Sequence, residues 1–115
     1  MTYEEMVRKI KTAGAWFTGA FLAEFVARYH EWHDEKDGKV DFIKYFHKEY
    51  GEALEYTEDS TKAKCYAVMS IVEHHKVLDA IEFVINCNDK KVIRDAVDNA
   101  TALLDEICRD KIELP

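Results

Sequence analysis

The sequence predicts an all-α protein, a four-helix bundle-like single domain with two long central helices. Apolar residues recur at helical spacing along most of the chain. Only four glycines and one proline interrupt its 115 residues, whereas a sheet protein needs many more turn residues. Hydrophobic residues make up 48% of the chain, enough for one core of that size. We therefore treat residues 1–115 as one all-helical domain.

The first predicted helix begins at a capping box formed by Thr2 and Glu5 and runs to about Asp34. Within it, the stretch Thr12 to Ala27 carries one charge, Glu24, and its apolar side chains point in every direction around the helix. A surface helix has a single apolar stripe, so this helix is expected to be buried on more than one side.

The length of this first helix exceeds what a small domain accommodates. Unbroken, it would span about 48 Å, whereas a compact domain of this size has a radius of gyration of about 13 Å. Either Gly14 or Gly19 bends the helix, or the helix extends beyond its own fold and packs on a partner.

The second predicted helix starts with Asp41 as its N-cap, and Gly51 either ends it or loosens its last turn. Its apolar face consists of Phe42, Ile43, Phe46, Tyr50 and Leu54. The helix is amphipathic, which is typical of an outer helix of a bundle.

The third predicted helix has three alternative caps, Thr57, Asp59 and Ser60, and runs to about Asn86. Its apolar residues cover most of the circumference, so it is the second central helix. The fourth, from about Asn88 to Glu113, is an outer helix with an apolar stripe of Ile93, Val97, Ala100, Leu104 and Ile107.

Two central helices need more cover than two outer helices provide, so we expect a homodimer. The candidate dimer interface is a face of the first helix with four small residues and one large one, namely Ala13, Trp16, Ala20, Ala23 and Ala27. Small side chains let two helices approach closely, and Trp16 is a suitable anchor. The alternative is that this face packs against the third or fourth helix of the same chain.

The charge and the cysteines narrow the function classes. A net charge of −7 makes direct binding to nucleic acid or to an anionic membrane unfavourable and favours a basic protein partner. We expect a cytoplasmic location, because the N-terminus lacks a signal-peptide pattern and the uncharged run is too short for a bilayer. The widely spaced Cys65, Cys87 and Cys108 are interpreted as buried or half-buried free thiols.

Histidine and aspartate recur four residues apart in two places, His30 with Asp34 and His75 with Asp79, and His33 lies beside the first pair. Two such pairs on neighbouring helices can bind a divalent metal, which gives an alternative function as a metal- or small-ligand-binding bundle. The simpler interpretation is an ion pair on a helix flank and imidazoles at a helix C-terminus. The chain has no Glu-x-x-His, so we expect no metal and no cofactor.

Catalytic signatures are missing from the sequence. It contains no glycine-rich phosphate loop, nucleophile elbow, HExxH or CxxC. We therefore expect a protein that is not an enzyme.

An acidic strip is the most suggestive polar feature, comprising Glu49, Glu52, Glu55, Glu58 and Asp59 with no lysine or arginine between Glu49 and Ser60. On one helix these neighbours repel each other. Tyr50 and Tyr56 lie nearby and belong to a residue type enriched at interfaces. We predict that these seven residues bind a basic partner. The alternative is a solvated helix end and loop.

The sequence thus favours a small acidic non-enzymatic protein–protein interaction module. Its most specific form is an inhibitor or immunity-type protein that masks a basic site on a partner protein. The alternatives are the metal- or small-ligand-binding bundle and a purely structural homodimer.

Overall fold

The computed structural model describes residues 1–87, 94–109 and 114–115, and these residues form an all-helical fold without strands. The predicted all-α, bundle-like class is therefore confirmed. The described residues form seven α-helices and one π-helix: α1 (Tyr3–Ala13), α2 (Ala15–Ala27), α3 (Tyr29–His33), α4 (Gly38–Phe46), the π-helix (His47–Gly51), α5 (Glu58–Glu73), α6 (Val77–Ile85) and α7 (Arg94–Cys108). The Cα radius of gyration is 13.2 Å. None of the helices in these ranges has the length and apolarity needed to cross a bilayer.

Gly14 breaks the first predicted helix. Its φ of +93° is a conformation that glycine adopts without the strain of a side chain. The Gly14 N–H ends α1 by donating to the Ile10 carbonyl, and the Lys64 ammonium donates to the Ala13 carbonyl at 2.8 Å. Of the outcomes expected for this long helix, the interruption at Gly14 is therefore confirmed. The continuous run to Asp34 is wrong, because a second break at Arg28, which the sequence did not predict, separates α2 from α3.

The start of α1 agrees with the sequence pattern. The Thr2 hydroxyl accepts a hydrogen bond of 3.1 Å from the Glu5 N–H and lies 3.3 Å from the Glu5 carboxylate. The Thr2 cap of the predicted capping box is therefore confirmed, and the Glu5 carboxylate accepts from the Thr2 hydroxyl.

The start of α4 differs from the prediction, because the helix begins at Gly38 and not at Asp41. A Cβ on Gly38 would lie 2.6 Å from the Glu31 carbonyl and 2.9 Å from the Trp32 carbonyl. Glycine therefore allows α4 to start directly against α3.

The third predicted helix is two helices, so its continuous run to Asn86 is wrong. Thr57 is the N-cap of α5 among the three candidates, since its side chain accepts from the Ser60 N–H at 3.1 Å. The helix ends at a turn in which His75 has a φ of +59°. The Lys76 N–H then donates to the Ile71 carbonyl, and α6 follows in a new direction.

The fourth predicted helix corresponds to α7. Its predicted ends, in 88–93 and 110–113, lie outside the described residues. In the described part Ala100 is buried, and Val97, Leu104 and Ile107 are half-buried. The apolar stripe therefore faces the core as predicted, apart from Ile93, which lies outside the described residues.

The helix at the centre of the fold is α2, and different elements cover its sides. Aromatic rings of α4 and the π-helix pack on one side, with centroid distances of 5.5 Å for Phe17–Phe46, 5.2 Å for Phe25–Phe42 and 5.1 Å for Phe21–Tyr50. On another side, a Cβ on Gly19 would lie 2.8 Å from both the Ala96 carbonyl of α7 and Val84 of α6. The chain itself therefore buries much of the apolar circumference.

The proposed dimer face is partly used inside the chain. Ala13 is fully buried and offers no surface to a second copy, whereas Ala27 is exposed. Trp16, Ala20 and Ala23 are half-buried. The Ala20 carbonyl accepts from the Asn99 amide of α7 at 3.5 Å, so α7 takes part of this face. A dimer through the remaining part stays a prediction.

The three cysteines differ in environment. Cys65 is buried, and burial raises the pKa of its thiol to about 12. Cys87 is half-buried as predicted, but Cys108 is exposed. The prediction for Cys108 is wrong because the end of α7 leaves this side chain in solvent.

Replacement of Gly19 by alanine tests the close approach of α2 to α7. Helix propensity alone would stabilise the protein by about 1 kcal/mol, whereas overpacking of a core costs about 1–3 kcal/mol. We expect the clash with the Ala96 backbone to dominate, so that chemical denaturation shows a lower free energy of unfolding for Gly19→Ala. A variant more stable than the wild type would contradict the packing described here.

Candidate partner-binding site

A groove of about 620 Å³ lies between α5 and the continuous pair of α4 and the π-helix. We call it the α4–α5 groove. Its walls carry three kinds of side chain: apolar or aromatic Val40, Ile43 and Tyr66; cationic Lys44, Lys48 and Lys62 around His47; and acidic Glu52, Glu58 and Asp59. A groove with apolar, cationic and acidic regions is suited to binding an amphipathic chain segment.

The π-helix exists because Gly51 lets two side chains meet. His47 Nδ1 and Thr61 Oγ1 form a hydrogen bond of 2.7 Å, and Thr61 is fully buried. A Cβ at Gly51 would lie 2.5 Å from His47 Nδ1 and 2.7 Å from Thr61 Oγ1. The wider π turn and the missing side chain therefore hold the imidazole against α5, at the wall of the groove. Such π turns are frequent at functional sites.

Sequence reasoning missed His47. The available signal was a glycine four residues after a histidine within an apolar helical pattern, because a glycine at that spacing leaves room over the imidazole. The loosening of the helix at Gly51 was one of the two expected outcomes, and the structure shows it as a π-helix.

The acidic strip is not a continuous helical ladder. Glu49 lies in the π-helix, Glu52 and Glu55 lie in the following turn, and Glu58 and Asp59 form the first turn of α5. Glu55 has a φ of +61°, which no helical residue has, and this reverses the chain. All five carboxylates are exposed. The turn brings Glu52, Glu58 and Asp59 together at one end of the groove.

The two tyrosines assigned to the partner site pack on the protein's own core. Tyr50 lies 4.9 Å from the Phe46 ring and 5.1 Å from the Phe21 ring. Tyr56 lies 6.2 Å from Phe17, and the Lys64 ammonium is 5.1 Å from its ring centroid. Burial raises the pKa of both phenols. Most of each side chain therefore serves packing, and each retains partial exposure.

The lysines of the groove were not expected near the strip. Along α5 the order is Asp59, Lys62 and Tyr66, a distance of about 10 Å at 1.5 Å per residue. The antiparallel wall repeats this order, with Glu52 just after the π-helix, Lys48 within it and Val40 in α4. The groove thus has an acidic end, a cationic middle and an apolar end. The ion pairs within the described ranges involve none of its lysines or carboxylates.

The histidines considered as metal ligands each contact a different partner. His30 pairs with Asp34 at 2.7 Å, and His33 pairs with Glu73, which also binds Lys39 at 2.8 Å. His75 forms a hydrogen bond of 2.8 Å with the Pro115 carbonyl, while Asp79 lies 3.6 Å from Lys76. The described part of the chain contains no group of three or more potential ligands suited to a metal ion.

Comparison with known proteins gives no relative. The chain matches no protein-family model, no curated protein and no solved structure.

Replacement of Thr61 tests the hydrogen bond that positions His47. Thr61→Val keeps the shape but removes the hydroxyl, and the loss of this hydrogen bond lowers the free energy of unfolding by about 1–2 kcal/mol. We expect the nitrogen NMR shifts of the His47 ring to change with it, because the hydroxyl no longer selects between the two tautomers. Thr61→Ser retains the hydroxyl and is the control. Unchanged ring shifts in the valine variant would show that Thr61 does not position the imidazole.

Proposed function

We propose that this protein is a small acidic interaction module that masks a basic site on a partner protein, as an inhibitor or immunity-type protein does. One observation carries the proposal: Glu49, Glu52, Glu55, Glu58 and Asp59 are all exposed around one turn, and the ion pairs of the described residues leave them out. Such a cluster favours a surface rich in lysine and arginine.

The arrangement of these carboxylates suits protein binding. Charges at the rim of an interface mainly accelerate association and select against partners of the same sign. The adjacent α4–α5 groove adds a concave, partly apolar surface that exposed carboxylates alone lack, with Val40 45% exposed at its apolar end. Together they support a binding site with both long-range attraction and shape.

A binding role is a better account of this site than catalysis. The carboxylates that carry the proposal face solvent, where their electrostatic effect on a reacting group is weak. The proposal also places the protein in the cytoplasm, where thiols such as the exposed Cys108 remain reduced.

Charge removal from the strip tests this function. The fourfold variant with Glu49, Glu52, Glu55 and Glu58 changed to glutamine loses attraction for a basic surface. The matched control removes four exposed charges elsewhere: Glu35→Gln, Glu82→Gln, Asp98→Asn and Glu106→Gln. The wild type and the control are first used to capture partner proteins from a lysate of the source cells. We expect the captured proteins to associate with the strip variant at least about tenfold more slowly than with the wild type at low salt.

The salt dependence provides the second half of this test. Association with the wild type should slow steeply as ionic strength rises, because salt screens exposed charges. The strip variant should show a flatter dependence than the control. Equal rates and equal salt slopes for the strip variant and the control would contradict a role of these carboxylates in binding.

A further inference from the structure

The outer face of α1 presents the same three kinds of side chain as the α4–α5 groove, in a linear order. Tyr3 is 54% exposed at its start, the exposed Glu4 follows, and the exposed Arg8 and Lys11 lie one and two turns further along. Residues 4, 8 and 11 share one side of a helix. The side chains along this face therefore change from aromatic to acidic to basic over about 12 Å from Tyr3 to Lys11.

Within the part of the chain that the structure describes, this face of α1 is exposed. The opposite face, with Met6 and Ile10 fully buried, packs on the core and contacts α5. The ion pairs of the described ranges do not include Glu4, Arg8 or Lys11. The outer face of α1 and the groove are therefore both open to another molecule.

We propose that α1 of a second copy of this chain docks in the α4–α5 groove, antiparallel to α5. In that orientation Tyr3 meets Tyr66 and Val40 at the apolar end. When Glu4 lies level with Lys62, beside Lys44 in the cationic middle, Tyr3 is about 4.5 Å along the axis from Tyr66 and within reach of its ring. Arg8 then lies within about 1.5 Å of the level of Asp59, and Lys11 follows one turn beyond, at the acidic end with Glu52. In this orientation the apolar end, the cationic middle and the acidic end of the groove each face side chains of complementary character on α1. The opposite orientation places Arg8 and Lys11 away from the carboxylates.

The dimensions and the backbone chemistry fit this occupant. The order of charges extends about 10 Å along the groove between Asp59 and Tyr66 and about 12 Å along α1. Helices flank the groove, so their backbone groups are already paired and offer little to an extended peptide. A helix satisfies its own backbone and needs only side-chain complementarity, which α1 provides.

Each copy carries one groove and one α1, so the proposed contact can be made twice between the same two copies. A two-fold arrangement in which each α1 occupies the partner's groove closes as a dimer. This dimer differs from the one expected at Ala20, Ala23 and Ala27, because it uses helix faces of mixed charge. It also occupies the groove and the carboxylates Glu52 and Asp59 that the proposed function assigns to a partner, so a second copy competes with that partner. Measurement on the pure protein keeps the outcomes of the two proposals distinguishable.

Charge exchange between the two surfaces tests the inference. Lys62→Glu alters the groove, and Glu4→Lys alters α1. We expect sedimentation velocity at low salt to show a concentration-dependent dimer for the wild type and at least about tenfold weaker association for each single variant. The control Lys9→Glu makes the same charge change as Lys62→Glu. Because Lys9 lies on a different side of α1 from Glu4, Arg8 and Lys11, we expect the association of this control to stay within about twofold of the wild type.

A mixture of the two variants gives the decisive result. When the Lys62→Glu protein pairs with the Glu4→Lys protein, the altered groove of the first receives the altered α1 of the second, and the other contact keeps its native charges. Opposite charges therefore meet in both contacts, and we expect the mixture to regain most of the wild-type association. A wild-type protein that stays monomeric up to about 1 mM, or a mixture as weak as its components, would overturn the inference. Circular dichroism of each variant confirms that a lost dimer is not a lost fold.

Discussion

Burial of α2 constrains how the rest of the chain folds. Its side chains are apolar around the whole helix, so water must be excluded on several sides at once. The positive φ of Gly14 turns the chain between α1 and α2, so that α1 can pack elsewhere and leave α2 to be covered by other elements. The missing side chain at Gly19 then allows α7 to approach on one side, while the aromatic rings of α4 and the π-helix cover another. A single chain thereby provides much of the cover that the sequence pattern demands.

The groove follows from that packing. Phe42, Phe46 and Tyr50 turn inward to α2, so the opposite side of α4 and the π-helix carries Lys44, His47 and Lys48 toward α5. The His47–Thr61 hydrogen bond over Gly51 holds the two walls in register. The reversal at Glu55 then sets the acidic residues at one end of the groove. The packing of α4 and the π-helix on α2 therefore determines both part of the core and the order of charges along the groove.

Local patterns predicted the elements whose cause is local. The Thr2–Glu5 capping box, the Thr57 cap and the loosening at Gly51 each depend on a few neighbouring residues, and each was recognisable in the sequence. The breaks at Arg28 and His75 were not, because neither residue is a helix breaker and tertiary packing imposes their conformations. The lysines of the groove were missed for a similar reason, since Lys44 and Lys62 are distant in sequence and meet the acidic strip only after the chain reverses. The inward orientation of Tyr50 and Tyr56 likewise depends on where α2 lies.

The functional proposals depend on the same packing, because the exposed carboxylates, the groove and the exposed outer face of α1 all keep their positions only if α2 stays buried at the centre. Native-state hydrogen exchange measures that burial most directly. We expect the backbone amides from Phe17 to Val26 to be the slowest in the protein and to exchange only through global unfolding, with a denaturant dependence equal to that of the whole chain. Exchange of these amides through a local opening, at a lower free energy than the amides of α5, would contradict the central position of α2.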